Sequence, residues 1–117
     1  MADGSTTLAT LKDAVRRFAA ERAWERFHSP KNLAMALAAE AGELLEPFLW
    51  VDSEASRDLA RDPARLAAVA DELADVTILA LNLSNVLGLD LSDAITAKLA
   101  KNAQKYPVAK YHGRYEA

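Results

Sequence analysis

Two pairs of carboxylic acids are the residues of this sequence best suited to chemistry. Glu40 and Glu43 lie in the segment AAEAGELLE, and Glu72 and Asp75 lie in ADELADV. Residues three apart on a helix project from the same face, about 60° from one another. Both segments are otherwise strongly apolar, so we expect the four carboxylates to face each other inside a helical bundle.

Carboxylates gathered in an apolar bundle repel one another and lose hydration. Protonation of some of them would relieve this, and so would a hard divalent cation, which accepts oxygen ligands. The acids therefore predict a Mg²⁺ or Mn²⁺ site. A single pair would more often form a solvated face, but two pairs on two apolar helices favour the metal site. Glu46 extends the first row by a turn, and we expect it beside the site, where it could orient water.

Redox iron is disfavoured by the histidine content. The chain has two histidines, His28 and His112. A di-iron bundle normally carries a Glu-x-x-His pair on each of two helices. We expect neither histidine to form such a pair, so an all-oxygen site is the better interpretation.

Composition sets the broad class of the protein. The 117 residues are enough for one domain, 1–117, with a core over about 8–107, and 51% of them are hydrophobic. The net charge of -3 gives no general attraction to nucleic acid or to an anionic membrane. There are no cysteines, no apolar run long enough to span a bilayer and no signal-peptide pattern. We expect a soluble, cytoplasmic protein.

Helix punctuation predicts an all-α four-helix bundle. The first helix should begin after Ser5 or Thr7 and fade near Trp24. Ser29–Pro30 and Asp62–Pro63 are cap-plus-proline pairs that open the second and third helices. The second should reach about Glu46 and the third Leu87, where Gly88 ends it. We expect a polar linker over 51–62 with room for a short helical turn, a fourth helix from Asp90 or Ser92 to before Pro107, and a loosely ordered C-terminal tail.

Several motifs together carry a family resemblance. WERFHSPKNL spans Trp24 to Leu33, Trp50 follows the first acidic motif, and KNAQKYP lies downstream of the second. In this combination the chain resembles the MazG-like all-α nucleoside triphosphate pyrophosphohydrolases, in their dCTP pyrophosphatase-like branch. The resemblance covers roughly residues 8–107. It implies that the four acids bind metal. It also implies that one set of residues contacts the phosphates, namely Lys98, Asn102, Lys105 and Tyr106. A second set would contact the base, namely Trp24, His28 and Trp50.

The residues themselves give partial support to these roles. Lys98, Asn102 and Lys105 share one helix face, which suits a polyphosphate but also suits a solvated lysine face. The tryptophans, with Phe27 and Phe48, could stack on a base or could be ordinary core aromatics. His28 lies just ahead of a helix cap, so a structural hydrogen bond is an equal interpretation. Vertebrate-like members of the branch carry histidine and tyrosine where this chain has Val15 and Leu79, which puts base and sugar selectivity in doubt.

The expected activity is Mg²⁺-dependent cleavage of a (deoxy)nucleoside triphosphate to a monophosphate and pyrophosphate. dCTP or a modified cytosine nucleotide leads on resemblance, with nucleotide-pool cleansing as the purpose, and Glu43 or Glu46 is the expected general base. Surplus apolar helix surface, like the family, indicates a homodimer or homotetramer. The rival hypothesis is a noncatalytic helical interaction module whose acids form a charged seam for a basic partner.

Overall fold

The computed structural model describes residues 1–116, and no strand occurs among them. Short 3₁₀ turns at Glu25–Phe27, Glu46–Phe48 and Leu59–Arg61 connect the longer elements. The all-helical prediction is confirmed. The helices are α1 (Leu8–Glu21), α2 (Pro30–Leu45), α3 (Ser53–Arg57), α4 (Pro63–Leu87), α5 (Leu91–Lys105) and α6 (Val108–Tyr111).

Side-chain caps begin the long helices where the sequence predicts them. The Thr7 hydroxyl accepts from the Thr10 amide at 3.1 Å, and Ser29 accepts from the Asn32 amide at 3.1 Å. Asp62 accepts from the amides of Ala64 and Arg65, both at 3.2 Å. Each such cap contributes about 1 kcal/mol by satisfying an amide that has no partner within the helix.

Two positive-φ residues end long helices in different ways. Gly88 ends α4 in the left-handed conformation with φ 66°, which glycine adopts without steric cost. Ala23 adopts φ 53° just after α1, where its Cβ makes the same conformation less favourable. This turn directs Trp24 back toward α1, and its ring meets the Phe18 ring edge-on with centroids 5.9 Å apart.

Helix α4 is the centre of the fold, because α2 packs along one side of it and α1 along another. Leu33 on α2 and Leu81 on α4 are fully buried. Asn85 joins α1 to α4: its amide nitrogen donates to the Lys12 carbonyl at 2.9 Å, and its oxygen accepts from Arg16 at 3.0 Å. The packing of α4 on α2 brings the two acidic segments together.

Helix α5 is packed differently. No side chain of α5 is fully buried by the rest of residues 1–116, and its apolar residues Ile95 and Leu99 are exposed. The described chain has a radius of gyration of 17.2 Å, whereas about 13 Å is typical of a compact domain this long. α5 is therefore present as predicted, but within one chain it is not enclosed in a bundle.

The C-terminal segment is more ordered than predicted. Residues Val108–Tyr111 form the short helix α6 after Pro107, and the Tyr111 ring packs edge-on against Tyr106 with centroids 5.2 Å apart. The polar composition of this segment gave no indication of the contact between Tyr106 and Tyr111, which packs α6 against the end of α5. The last residue, Ala117, lies outside the described residues, and none of the described helices is long and apolar enough to cross a membrane.

Candidate functional site

Three of the four predicted acids converge across the α2–α4 contact. Carboxylate oxygens of Glu40, Glu43 and Glu72 lie within 4.8 Å of one another. Glu40 and Glu72 are half-buried, and Glu43 is exposed at the opening of the cluster. Asp75 stands outside this group of three, although its negative charge acts on both Glu40 and Glu72.

The electrostatics of the cluster are unfavourable for bare carboxylates. Desolvation raises the pKa of Glu40 above its ordinary value, and the neighbouring Glu43, Asp75 and Glu72 raise it further. Desolvation also raises the pKa of Glu72, and the charges of Glu43, Asp75 and Glu46 add to this effect. Each proton bound by the cluster lowers its negative charge, so the metal-free cluster resists full ionisation.

One oxygen of Glu40 and one of Glu72 have no hydrogen-bond donor. Both Oε2 atoms are buried from solvent and lack a partner among residues 1–116. A buried carboxylate oxygen without a donor is costly, so each such atom needs an explanation. A hard divalent cation between α2 and α4 would supply the missing partner and offset the repulsion. The donor set therefore fits a Mg²⁺ or Mn²⁺ ion.

An apolar cavity of about 540 Å³ lies between α1 and α4. Glu72, Asp75, Leu79 and Asn82 recur at spacings of three and four residues, so they share one face of α4. Ten residues of helix cover about 15 Å, so this face leads from the acids directly into the cavity. The cavity is lined by Leu11, Ala14, Val15, Phe18, Ala19, Trp24, His28, Ala74, Thr77, Ile78, Leu79, Leu81 and Asn82.

The cavity wall contains few polar side chains. The Thr77 hydroxyl donates to the Leu73 carbonyl at 2.8 Å, within its own helix. The amide nitrogen of Asn82 lies 3.1 Å from Nδ1 of His28. The Trp24 ring stands edge-on to His28 with centroids 6.3 Å apart. A ligand in the cavity would meet mainly apolar walls, with the polar groups of His28 and Asn82 on one side.

The base-contact residues predicted from the resemblance are divided by the structure. Trp24 and His28 line the cavity. So do Val15 and Leu79, the two positions where vertebrate-like members of the branch carry histidine and tyrosine. Trp50 lies outside the cavity and is 96% exposed, after the 3₁₀ turn that follows α2. Within a single chain, one of the two predicted tryptophans is therefore available to a ligand in the cavity.

The residues predicted to contact phosphate all belong to α5 or its C-cap. Within residues 1–116, no hydrogen bond or ion pair joins them to the acids. The Lys105 ammonium lies 5.3 Å from the centroid of the Tyr106 ring. The residues are Lys98, Asn102, Lys105 and Tyr106.

Sequence reasoning missed Asn82. Its position at the end of the stripe formed by Glu72, Asp75 and Leu79 was an available indication, since a buried asparagine in an apolar helix needs a partner. Sequence reasoning also overlooked that Glu25 precedes His28 by three residues. These two lie in and just after a 3₁₀ turn, and Nδ1 of His28 is occupied by Asn82, so they do not form the helical Glu-x-x-His pair of a di-iron bundle.

A MazG-like family model matches residues 35–117, which include both acidic segments and α5. The chain belongs to the MazG-like family. It is 40% identical to dCTP pyrophosphatase 1 of Bos taurus over 102 residues, which is 87% of this chain and 60% of that protein. It is 40% identical to the dATP/dGTP diphosphohydrolase of Cyanophage S-2L over 73 residues, which is 62% of this chain and 53% of that protein.

A solved structure resembles the whole fold. The crystal structure of a pyrophosphatase from Archaeoglobus fulgidus gives a TM-score of 0.77 at 34% identity, covering 92% of this chain and 98% of that chain. The curated relatives are longer proteins, and this chain spans about three-fifths of the length of dCTP pyrophosphatase 1. The MazG-like assignment confirms the resemblance seen in the sequence motifs.

Proposed function

We propose that this protein hydrolyses deoxynucleoside triphosphates to the monophosphate and pyrophosphate, with dCTP or a modified cytosine nucleotide as the preferred substrate. The observation that carries the proposal is the convergence of Glu40, Glu43 and Glu72 around two buried oxygens that have no donor. The apolar cavity on the same face of α4 offers a place for the nucleoside. The similarity to enzymes named for dCTP and for dATP/dGTP supports the reaction class.

The acids would serve as metal ligands and as the general base, and Glu43 is a candidate for both roles. Glu40, Glu43, Glu72 and Asp75 would hold Mg²⁺ or Mn²⁺, which neutralises phosphate charge and acidifies water when bound. Glu43 is exposed at the opening of the cluster, and Glu46 follows it by one turn. Either carboxylate could take the proton from the attacking water. A nucleophilic serine, cysteine or histidine is not part of this proposal, since water attacks directly.

Helix α5 would supply the positive charge for the triphosphate. Lys98 and Lys105 would stabilise the negative charge on the leaving pyrophosphate, and Asn102 and Tyr106 would contact its oxygens. Trp24 would pack against the nucleoside in the cavity. No hydrogen bond or ion pair joins α5 to the acids of its own chain within residues 1–116, and Trp50 lies outside the cavity of its own chain. We therefore propose that α5 and Trp50 complete the site of a neighbouring copy.

The exposed surface supports an oligomer. The described chain has an accessible surface of 9020 Å², about 2,800 Å² more than the roughly 6,200 Å² expected for a compact protein of its mass. An excess of this size per chain corresponds to the interfaces of obligate oligomers. Much of it is apolar, including Met35 on α2 and Leu99 on α5. We propose a homodimer or homotetramer, with nucleotide-pool cleansing as its role.

Product analysis tests the reaction. The protein of residues 1–117 is incubated with each of the four dNTPs and Mg²⁺ in water enriched in ¹⁸O, and the products are identified by mass spectrometry. We expect monophosphate and pyrophosphate, with the label in the monophosphate because water attacks the α-phosphorus. Release of orthophosphate would reject the proposed bond, and label in the pyrophosphate would reject the site of attack. Absence of any turnover or nucleotide-dependent thermal shift would favour the noncatalytic module.

A further inference from the structure

The two buried polar side chains of the described chain have different kinds of partner. Ser84 donates its hydroxyl to the Leu81 carbonyl at 2.7 Å, inside its own helix. Asn82 is 8% exposed, and its amide nitrogen contacts Nδ1 of His28, 54 residues earlier in the sequence, at 3.1 Å. A buried amide is expensive to leave without a partner, so this contact fixes the two side chains relative to each other.

In the orientation that Asn82 has in the structure, its amide nitrogen faces Nδ1 of His28. An amide nitrogen only donates, so in this arrangement Nδ1 accepts and the proton of the ring lies on Nε2. His28 lines the cavity, and its Nδ1 is already occupied. Nε2–H is therefore the polar group of the ring that remains for a ligand, and it is a hydrogen-bond donor. The Trp24 ring stands edge-on beside the imidazole.

The rest of the wall makes such a donor selective. Val15, Leu79 and Ile78 bring only apolar atoms to the cavity, and the Thr77 hydroxyl is used within α4. In apolar surroundings a hydrogen bond is strong, and an unmatched donor is costly. A ligand that places an acceptor against Nε2–H would therefore be favoured over one that places an apolar or donor edge there.

We propose that Asn82 is a specificity-determining positioning residue, which holds the His28 ring in the orientation and tautomer that let Nε2–H bind an acceptor atom on the nucleobase. This inference rests on the proposed function, because it places the nucleoside in the cavity and the phosphates at the acids. Asn82 acts through His28, and His28 touches the base. The ligand class is a nucleobase whose edge presents a ring nitrogen or carbonyl acceptor.

The tautomer can be measured without any activity. ¹⁵N NMR of the histidine side chains in the nucleotide-free protein, with His28 assigned by comparison with His112→Gln, should show Nε2 protonated and Nδ1 unprotonated. In Asn82→Leu the preference should weaken, and in Asn82→Asp, whose carboxylate can only accept, Nδ1 should become protonated. A wild-type ring protonated on Nδ1 would overturn the inference.

A double-mutant cycle measures the function of the pair. We expect Asn82→Leu and His28→Ala each to raise KM for the preferred dNTP about tenfold, with kcat changed less than about twofold, as for the loss of a binding contact. The double variant should be no worse than either single one, because both changes remove the same interaction. The preference among the four dNTPs should fall in all three variants, and His28→Gln, which retains an N–H donor, should recover part of it.

Ser84→Ala is the matched control, since Ser84 is buried on the same helix but does not line the cavity. It should leave KM and the dNTP preference unchanged. Multiplicative effects in the double variant, or an unchanged preference in Asn82→Leu, would overturn the inference while leaving the proposed function intact. A folded wild-type protein that releases no pyrophosphate from any dNTP would instead refute the proposed function, whatever the tautomer.

Discussion

The α2–α4 contact and helix α5 would supply different parts of the proposed site. Across the α2–α4 contact, two helices of one chain pack tightly enough to force Glu40, Glu43 and Glu72 together. α5 carries the complementary lysines, but its side chains stay exposed and its apolar residues are uncovered. On our proposal, one chain builds the metal site alone, whereas the phosphate-binding half of the site needs a second surface.

The acids and the α5 lysines also differ in the environment of their charges. The acids are held together by the packing of their helices, which imposes a mutual repulsion that a cation would relieve. Lys98 and Lys105 are exposed side chains, so the desolvation cost of each charge is small. Changes at the acids should therefore abolish chemistry, whereas changes on α5 should weaken it.

The largest effect is expected at the acids. Glu72→Gln removes a charge from the cluster while keeping its shape. We expect turnover to fall at least about a hundredfold, because the loss of a group that merely supports a metal ligand already costs about 10- to 100-fold. Asp71→Asn is the matched control, because Asp71 is the exposed neighbour on the same helix. Rates of pyrophosphate release from dCTP check this, and a Glu72→Gln enzyme with wild-type turnover would contradict the assignment of the site.

A smaller loss is expected on α5. Lys98→Ala or Lys105→Ala should reduce kcat/KM about tenfold through a lost charge-assisted contact with phosphate. The Mg²⁺-dependent thermal shift in the absence of nucleotide should not change, because the acids do not depend on these lysines. Lys31→Ala, at the start of α2, serves as the control. Full activity in both α5 variants would mean that α5 is a solvated lysine face.

The apolar surface of α5 should control assembly. Leu99 is 63% exposed, and Leu99→Glu places a charge where we expect a subunit contact. Light scattering after gel filtration should show a smaller species than the wild type, and activity should fall with the loss of assembly. Leu99→Met, which keeps an apolar side chain of similar size, should assemble normally. A wild-type monomer that is fully active would contradict the shared site.

Stability should depend on pH in a way that reveals the cluster. The pKa values of Glu40 and Glu72 are raised in the folded state, so the folded protein holds protons more tightly than the unfolded chain. Their contribution to stability is present below about pH 4.5, the ordinary glutamate value, and is lost as the pH rises through the higher folded values. Metal-free Glu40→Gln should therefore lose less stability over this range than metal-free wild type, as thermal melts at a series of pH values can show. A larger loss in the variant would be opposite to the sign expected.

The smallest effect is expected at the end of α1. Ala23 holds a left-handed φ of 53°, and Ala23→Gly should stabilise the protein by about 1 kcal/mol or less, because relief of the strained Cβ is partly offset by the entropy of glycine. Activity should be unchanged, since neither the cavity nor the acid cluster includes this residue. Denaturant unfolding measures the difference, and marked destabilisation would show that the turn does not strain Ala23.

Short-range patterns in the sequence were sufficient to predict the helices and the acidic pairs. Ser29–Pro30 and Asp62–Pro63 fix two helix starts through chemistry contained within a few residues. The three-residue spacing of the acids on apolar segments predicts that they share a face, which the packing of α2 on α4 turns into a cluster. Sequence reasoning could go this far because each step depends on helical periodicity alone.

The remaining features depend on contacts between distant segments. The pairing of Asn82 with His28 requires the path of the chain around α1, which periodicity does not encode. An apolar stripe on α5 predicts that this face is covered but does not say by which chain. The order of α6 arises from the contact of Tyr111 with Tyr106, which a polar composition conceals.

The central claim is that the acids of α2 and α4 form a site for a divalent cation. Calorimetric titration of Mg²⁺ into the nucleotide-free protein tests it most directly, with Glu72→Gln and Asp71→Asn measured in parallel. We expect saturable binding with release of protons in the wild type and in Asp71→Asn, and weaker binding or none in Glu72→Gln. Equal binding by all three proteins, or no binding by the wild type, would contradict the account.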